Sequence, residues 1–186
     1  MLTAQLSERF QVSPTPLREA LHRFAGEGLV EFIPQRGARV AELSVADSNE
    51  LIELRSLLEP ACVHRSIAGA TDAWRSDVTV AVAEVTARLG ARRHVVAASE
   101  NSYRGFYTTL TSTCDSTRLL RYASSVRDQH ARYRAATLGS IDRRALIAHL
   151  AELAAAALAG DHDRATAAVC AELELFGAVY EESDAR

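Results

Sequence analysis

The chain has 186 residues, a formal net charge of −3, an isoelectric point near 6.1, 48% apolar residues and 24% charged ones. These totals describe an ordinary globular protein of one domain or two small ones, and they carry no global basic signature. No apolar run approaches the roughly 18 residues that span a bilayer, and the N-terminus has no signal-peptide pattern, so a cytoplasmic protein is expected.

Alanine and leucine abound against four prolines and nine glycines, which favours helix. Cys62, Cys114 and Cys170 are odd in number, widely spaced and without a CxxC pair. They read as small buried hydrophobes, not as a disulfide frame or zinc knuckle.

The first element lies in TAQLSERF, where Leu2, Leu6 and Phe10 recur four apart and give a narrow apolar face. QVS follows as a tight turn. In SPTPLREAL, Pro16 pushes Thr15 out of helical geometry, so Thr15 is expected as the N-cap with Pro16 opening the helix. Leu17, Ala20, Leu21 and Phe24 form its inward stripe, with Arg18 and His22 one turn apart on the other side and Glu19 and Arg23 flanking them. Gly26 or Gly28 ends it. Val30, Phe32 and Val40 alternate inward along a hairpin whose tip is PQRG and which carries Arg36 and Arg39.

Helix, turn, helix and a two-stranded wing is the layout of a winged helix-turn-helix. In that layout the second helix enters the major groove with its N-terminal residues towards the bases, and its free amides favour phosphate. The first domain is set at 1–43.

From residue 47 to 182 the pattern is helical throughout, with six helices expected at about 47–69, 72–89, 93–113, 115–137, 141–159 and 162–182. Leu51, Leu54, Leu58 and Cys62 share one stripe of the first, Pro60 is expected to bend it, and Arg55 and Glu59, at i, i+4, are expected to pair with each other or with a neighbouring helix. Asp115 and Asp142 stand where helix starts are expected, and short turns imply an antiparallel bundle. The fold class is therefore mainly α, a winged helix-turn-helix followed by an all-α bundle.

The segment LSERFQVSPTPLREALHRFAGEGLVEFIPQRGARVAELS resembles the DNA-binding domain of GntR-type bacterial transcription regulators. ELIELRSLLEPACVHRSIAG resembles the first helix of the FCD effector domain of the FadR subgroup. The resemblance implies a homodimeric regulator that reads a palindromic operator and whose DNA affinity is set by a small metabolite, often a carboxylate. It makes Thr15 and Arg18 the recognition-helix contacts, His22 and Arg23 phosphate or solvent neighbours, and Arg36 and Gly37 the wing tip; Arg39 is an electrostatic extra. Members of the family carry a further helix upstream of the segment that opens this chain, so the winged helix is expected to lack its first helix. The alternative is a sensing or dimerisation module that has lost DNA binding.

Metal-binding members of the subgroup gather an aspartate and three histidines inside the bundle. The positions matched to them are Tyr103, Tyr107, His149 and Glu172, of which only His149 keeps a ligand of the same type. His149 and Glu172 make at most a weak two-ligand site, so no cofactor is expected. Tyr103, Tyr107, His149 and Glu172 suit either a polar patch in a small-molecule pocket or a satisfied buried network. Arg127, Arg132 and Arg134 share one helix; one of them meets an effector carboxylate bidentately, or the helix presents a solvated face. His130 and His162 read as surface residues. No nucleophile–base pair or metal triad is visible, so no enzyme is expected.

Overall fold

The computed structural model describes residues 3–34, 36–92 and 95–184. It divides into two compact units, 1–44 and 45–186.

In the first unit α1 (Thr3–Phe10) and α2 (Pro14–Gly26) are joined by a short turn, and β1 (Val30–Ile33) pairs antiparallel with β2 (Gly37–Val40). Leu2, expected on the α1 stripe, lies outside the described residues. Gln11 takes a left-handed φ of 53°, with its amide and that of Val12 donating to the carbonyls of Glu8 and Ser7. The N-cap of α2 is Ser13, not Thr15. Ser13 precedes Pro14, is itself held extended (φ −67°, ψ 157°), and so marks the helix start, leaving Thr15 inside the first turn. At the other end Gly28 (φ 72°) closes α2 while Leu29 N–H returns to the carbonyl of Phe24 at 2.9 Å.

The inward stripe is narrower than its spacing implies. Leu21 and Ala38 are buried and Leu6, Leu17 and Ala20 half-buried, whereas Phe24, Phe32 and Val40 are 37%, 44% and 62% exposed. Two short helices and one hairpin have too few layers to cover both faces of each element.

The second unit contains α3 (Val45–Ala68), α4 (Asp72–Gly90), α5 (Val96–Leu110), α6 (Thr117–Thr137), α7 (Arg143–Ala159) and α8 (His162–Asp184). Helix α3 packs on α6 and α8, α4 on α5 and α7, and α7 on α8. Trp74, Val78, Val85, Leu89, Phe106, Leu110, Leu150 and Leu153 fill the main core. Start signals are local: Thr71 Oγ1 accepts from Trp74 N–H and Asp142 from Arg144 and Ala145 N–H. Ser116, not Asp115, caps α6; Asp115 instead pairs with Arg65 at 2.7 Å. Arg93 and His94, expected to open the third helix of the bundle, lie outside the described residues.

On α3 the buried face is Ser48, Leu51, Arg55, Glu59 and Cys62, while Leu54 is 44% exposed. The helical period thus places an arginine and a glutamate in phase with the leucine that enters the core. All three cysteines are free; Cys62 and Cys114 are buried, and burial pushes the Cys62 thiol up to about 12. Among the described residues no helix is long and apolar enough to cross a membrane.

Gly69, just past α3, has the carbonyl of Thr113 2.8 Å from where a Cβ would sit. Gly69→Ala must therefore part α3 from the 111–114 turn, and a loss of about 1–3 kcal/mol in urea unfolding is expected. An unchanged midpoint would show that the turn yields freely.

Candidate functional site

Two sets of side chains carry chemistry, one in each unit. In the first, Thr15, Arg18, His22 and Arg23 are all exposed on α2, while Leu21 of the same helix is buried. The His22 ring lies 4.6 Å from that of Phe32, so the helix and the wing share a surface aromatic contact. Arg23 lies over Phe24 at 5.7 Å. Arg36 is exposed beside Gly37, whose φ of 91° is one a side chain would strain. Arg39 is held by Glu31 at 2.8 Å and Glu42 at 3.1 Å, so its charge is largely spent within the wing.

In the second unit, four helices send charged and phenolic groups to one buried point. Arg55 and Glu59 on α3 form a two-pronged pair, with both N–O distances 3.0 Å and neither side chain exposed. Arg127 on α6 adds a second donor to Glu59 at 2.8 Å. Arg55 Nη2 also donates to Tyr103 Oη at 2.6 Å, which directs the Tyr103 proton to Glu172 Oε1. Tyr107 Oη donates to Glu172 Oε2. Above this layer Arg134 clasps Glu100 at 2.7 and 3.0 Å and donates to the Arg127 carbonyl at 3.1 Å. The guanidinium groups of Arg134 and Arg127 lie over the rings of Tyr103 and Tyr107 at 4.3 and 4.5 Å.

These contacts set the protonation states. Burial opposes charge on Glu59, but Arg55 and Arg127 outweigh it and hold its carboxyl below the usual range. Burial and the neighbouring Glu59 raise Glu172 despite Arg55 and the two phenols. Burial raises both tyrosines, keeping them neutral hydrogen-bond donors. Arg55 Nη1 lies 2.9 Å from His130 Nδ1. An arginine only donates, so Nδ1 must accept and the ring proton sits on Nε2, which is buried without a hydrogen-bond partner.

Tyr103, Tyr107, Arg127 and Glu172 therefore come together, and His149 does not. His149 is half-buried on α7, while the next residue, Leu150, faces the core, because successive helical residues are turned about 100° apart. His130, Arg127 and Arg134 are buried, contrary to a surface reading, and His162 is half-buried with its ring 4.7 Å from that of His64. Their spacing on α6, i, i+3, i+7, is that of a core stripe written in polar residues. Arg55, Glu59, Glu100 and His130 are the members that motif reading did not assign to the site, and it offered Arg134 only as one of three arginines on its helix.

The metal of related bundles does not fit this set. The cation facing the Tyr103 and Glu172 oxygens is the Arg55 guanidinium, and no group of three His, Cys, Asp or Glu able to hold a metal occurs among the described residues. A groove of about 460 Å³ between α4 and α5, lined by Glu84, Ser102, Gly105 and Phe106, is formed without the network's residues.

A two-helix head with a hairpin wing, followed by a six-helix bundle with a buried polar centre, is the architecture of a two-domain bacterial regulator. Residues 2–40 match the family "Bacterial regulatory proteins, gntR family" and residues 50–175 match the FCD domain. The chain belongs to the GntR family, as a member with an FCD domain. It is 31% identical over 132 residues to the HTH-type transcriptional repressor GlaR of Escherichia coli, covering 69% of this chain and 60% of that protein. It is 30% identical over 168 residues to the uncharacterized HTH-type transcriptional regulator BphR of Paraburkholderia xenovorans, covering 87% and 68%. Its fold matches E. coli McbR/YncC with a TM-score of 0.84 at 18% identity over 99% of this chain and 87% of that one. A GntR regulator from Rhodococcus sp. RHA1 gives 0.77 at 21% over 97% and 86%. The relatives matched by sequence are transcriptional regulators, not enzymes.

Two outcomes follow from the buried network. Arg55→Leu leaves Glu59 and Glu172 short of their cation, and a loss of about 3–5 kcal/mol in urea unfolding is expected, since breaking a buried pair strands a charge. Burial first, then Arg55 and Arg134, holds His130 well below its ordinary 6.5. The unfolded chain therefore takes up a proton that the native one refuses, so this contribution is present above pH 6.5 and is lost as pH falls below it. Between pH 7 and 5 the wild type is expected to lose stability more steeply than His130→Gln, by up to about 1.4 kcal/mol per pH unit. Parallel urea-midpoint profiles would contradict the assignment.

Proposed function

We propose that this protein is a DNA-binding transcriptional regulator, with α2 as the recognition helix and the β1–β2 hairpin as the wing. The observation that carries the reading is the exposed polar face of α2, Thr15, Arg18, His22 and Arg23, on a helix anchored from behind by Leu21. Thr15 and Arg18 in the first turns reach the bases or phosphates, and Arg36 with Gly37 approaches the backbone at the wing tip. A helix in one groove reads only a half-site. A homodimer on palindromic operator DNA is therefore the assembly proposed.

The bundle is proposed as the domain through which a small carboxylate controls DNA affinity. Arg55, Arg127, Tyr103 and Tyr107 offer the donors a carboxylate needs, in surroundings where such bonds are strong. His149 takes no part in this proposal.

Fluorescence anisotropy with labelled DNA from upstream of the protein's own gene, over a salt series, tests the reading. Tight binding that falls steeply with salt is expected, with Arg18→Ala weakening it by about 10- to 100-fold and relaxing its sequence preference. Equal binding to scrambled DNA, or an unaffected Arg18→Ala variant, would remove α2 from the reading. No binding at all would leave the sensing and dimerisation role.

A further inference from the structure

We propose that Glu172 is an internal ligand: its carboxylate, sent in from α8, occupies a carboxylate receptor built by Tyr103, Tyr107 and Arg55, and once that side chain is removed a free monocarboxylate can take its place. This rests on the network being the effector site of the bundle, and it specifies what a metabolite there has to displace.

The geometry is that of recognition. Each Glu172 oxygen receives its own phenol proton, Oε1 from Tyr103 and Oε2 from Tyr107, and the Arg55 guanidinium stands 3.9 Å from Oε1. The two phenols come from one face of α5, one turn apart, so each can donate to a different oxygen of the same carboxylate. Their orientation is fixed from outside the pair. Arg55 donates to Tyr103 at 2.6 Å and so turns its proton to Glu172, while Arg134 and Arg127 lie over the two rings. Arg55 is itself held by Glu59 and is not consumed by Glu172. The receptor is thus preorganised independently of the group it holds, as binding sites are. All four side chains are at or near zero exposure, so a carboxylate bound there is desolvated and the donors are correspondingly effective.

Glu172→Ala removes one methylene carbon and a carboxylate, which together have the heavy atoms of acetate. The variant therefore keeps the receptor and leaves a cavity of acetate's shape and charge preference. With Arg55 as the resident cation and Glu172 as the resident anion, both partners of the site come from the chain.

The test is thermal melting of the full chain and of Glu172→Ala, titrated with sodium acetate, with sodium chloride at the same ionic strength, and with acetamide. The variant is expected to melt lower than wild type and to recover saturably in acetate, on the order of 5 °C beyond chloride. Acetamide, equal in size but uncharged, is expected to restore much less, and wild type to respond to acetate as it does to chloride. Acetate acting like chloride, or acetamide restoring as much as acetate, would overturn the proposal, the second by reducing the effect to cavity filling. If the variant is recovered only unfolded, refolding yield in acetate against chloride is the readout, and equal yields overturn the proposal equally. Melting uses no DNA, so its outcome is separate from the DNA-reading proposal. Acetate-dependent anisotropy of the variant on DNA then reports on the sensing role alone.

Discussion

The second unit is organised around one buried ion pair, Arg55 with Glu59. Neither side chain touches solvent, so each would be intolerable without the other, and Arg127 completes the cover on Glu59. Once Arg55 is committed to that geometry its remaining donors are aimed, one at His130 on α6 and one at Tyr103 on α5. Through Tyr103 the constraint passes to Glu172 on α8. Four helices are thus held in register by directional bonds, which apolar contacts alone do not provide, since they tolerate sliding and repacking.

This arrangement changes what the bundle centre can bind. A divalent ion asks for several anionic or imidazole ligands around an open position, whereas here the position is filled by a planar guanidinium and two neutral phenols. The groups that remain are hydrogen-bond donors oriented towards the carboxylate of Glu172. His130, with its tautomer dictated by Arg55 and its Nε2 proton unmatched, is the one ring nitrogen of the network with unused donor capacity. Burial, with Arg55 and Arg134 beside it, keeps this ring neutral in the fold.

The first unit works on the opposite principle. Its polar groups are on the outside, spaced along one helix face and held by little more than Leu21, Ala38 and a surface contact between His22 and Phe32. A reading surface needs exposed, mobile side chains that can reach a partner. The polar groups of the bundle are buried and held by partners on other helices. One chain supplies both by using helices of different burial.

The sequence alone determined the elements governed by local rules. The glycine stop of α2, the Asp142 cap, the six-helix count of the bundle and the polar face of α2 follow from spacing, caps and φ preferences within a few residues of each position. It also carried the family through two segments, 6–44 and 50–69, and it offered Arg55 and Glu59 to each other as i, i+4 neighbours while leaving a partner on another helix open. Tertiary structure decided whether a polar stripe faces water or core. Helix α6 reads as solvated because Arg127, His130 and Arg134 are polar, yet all three are buried, since their partners Glu59, Arg55 and Glu100 lie on other helices. His149 and Leu150 differ by one position and a rotation of about 100°, and only the packing of α7 settled which of them faces inward. A charge is buried when its counter-charge is delivered from elsewhere in the fold, and no window along the chain contains that information.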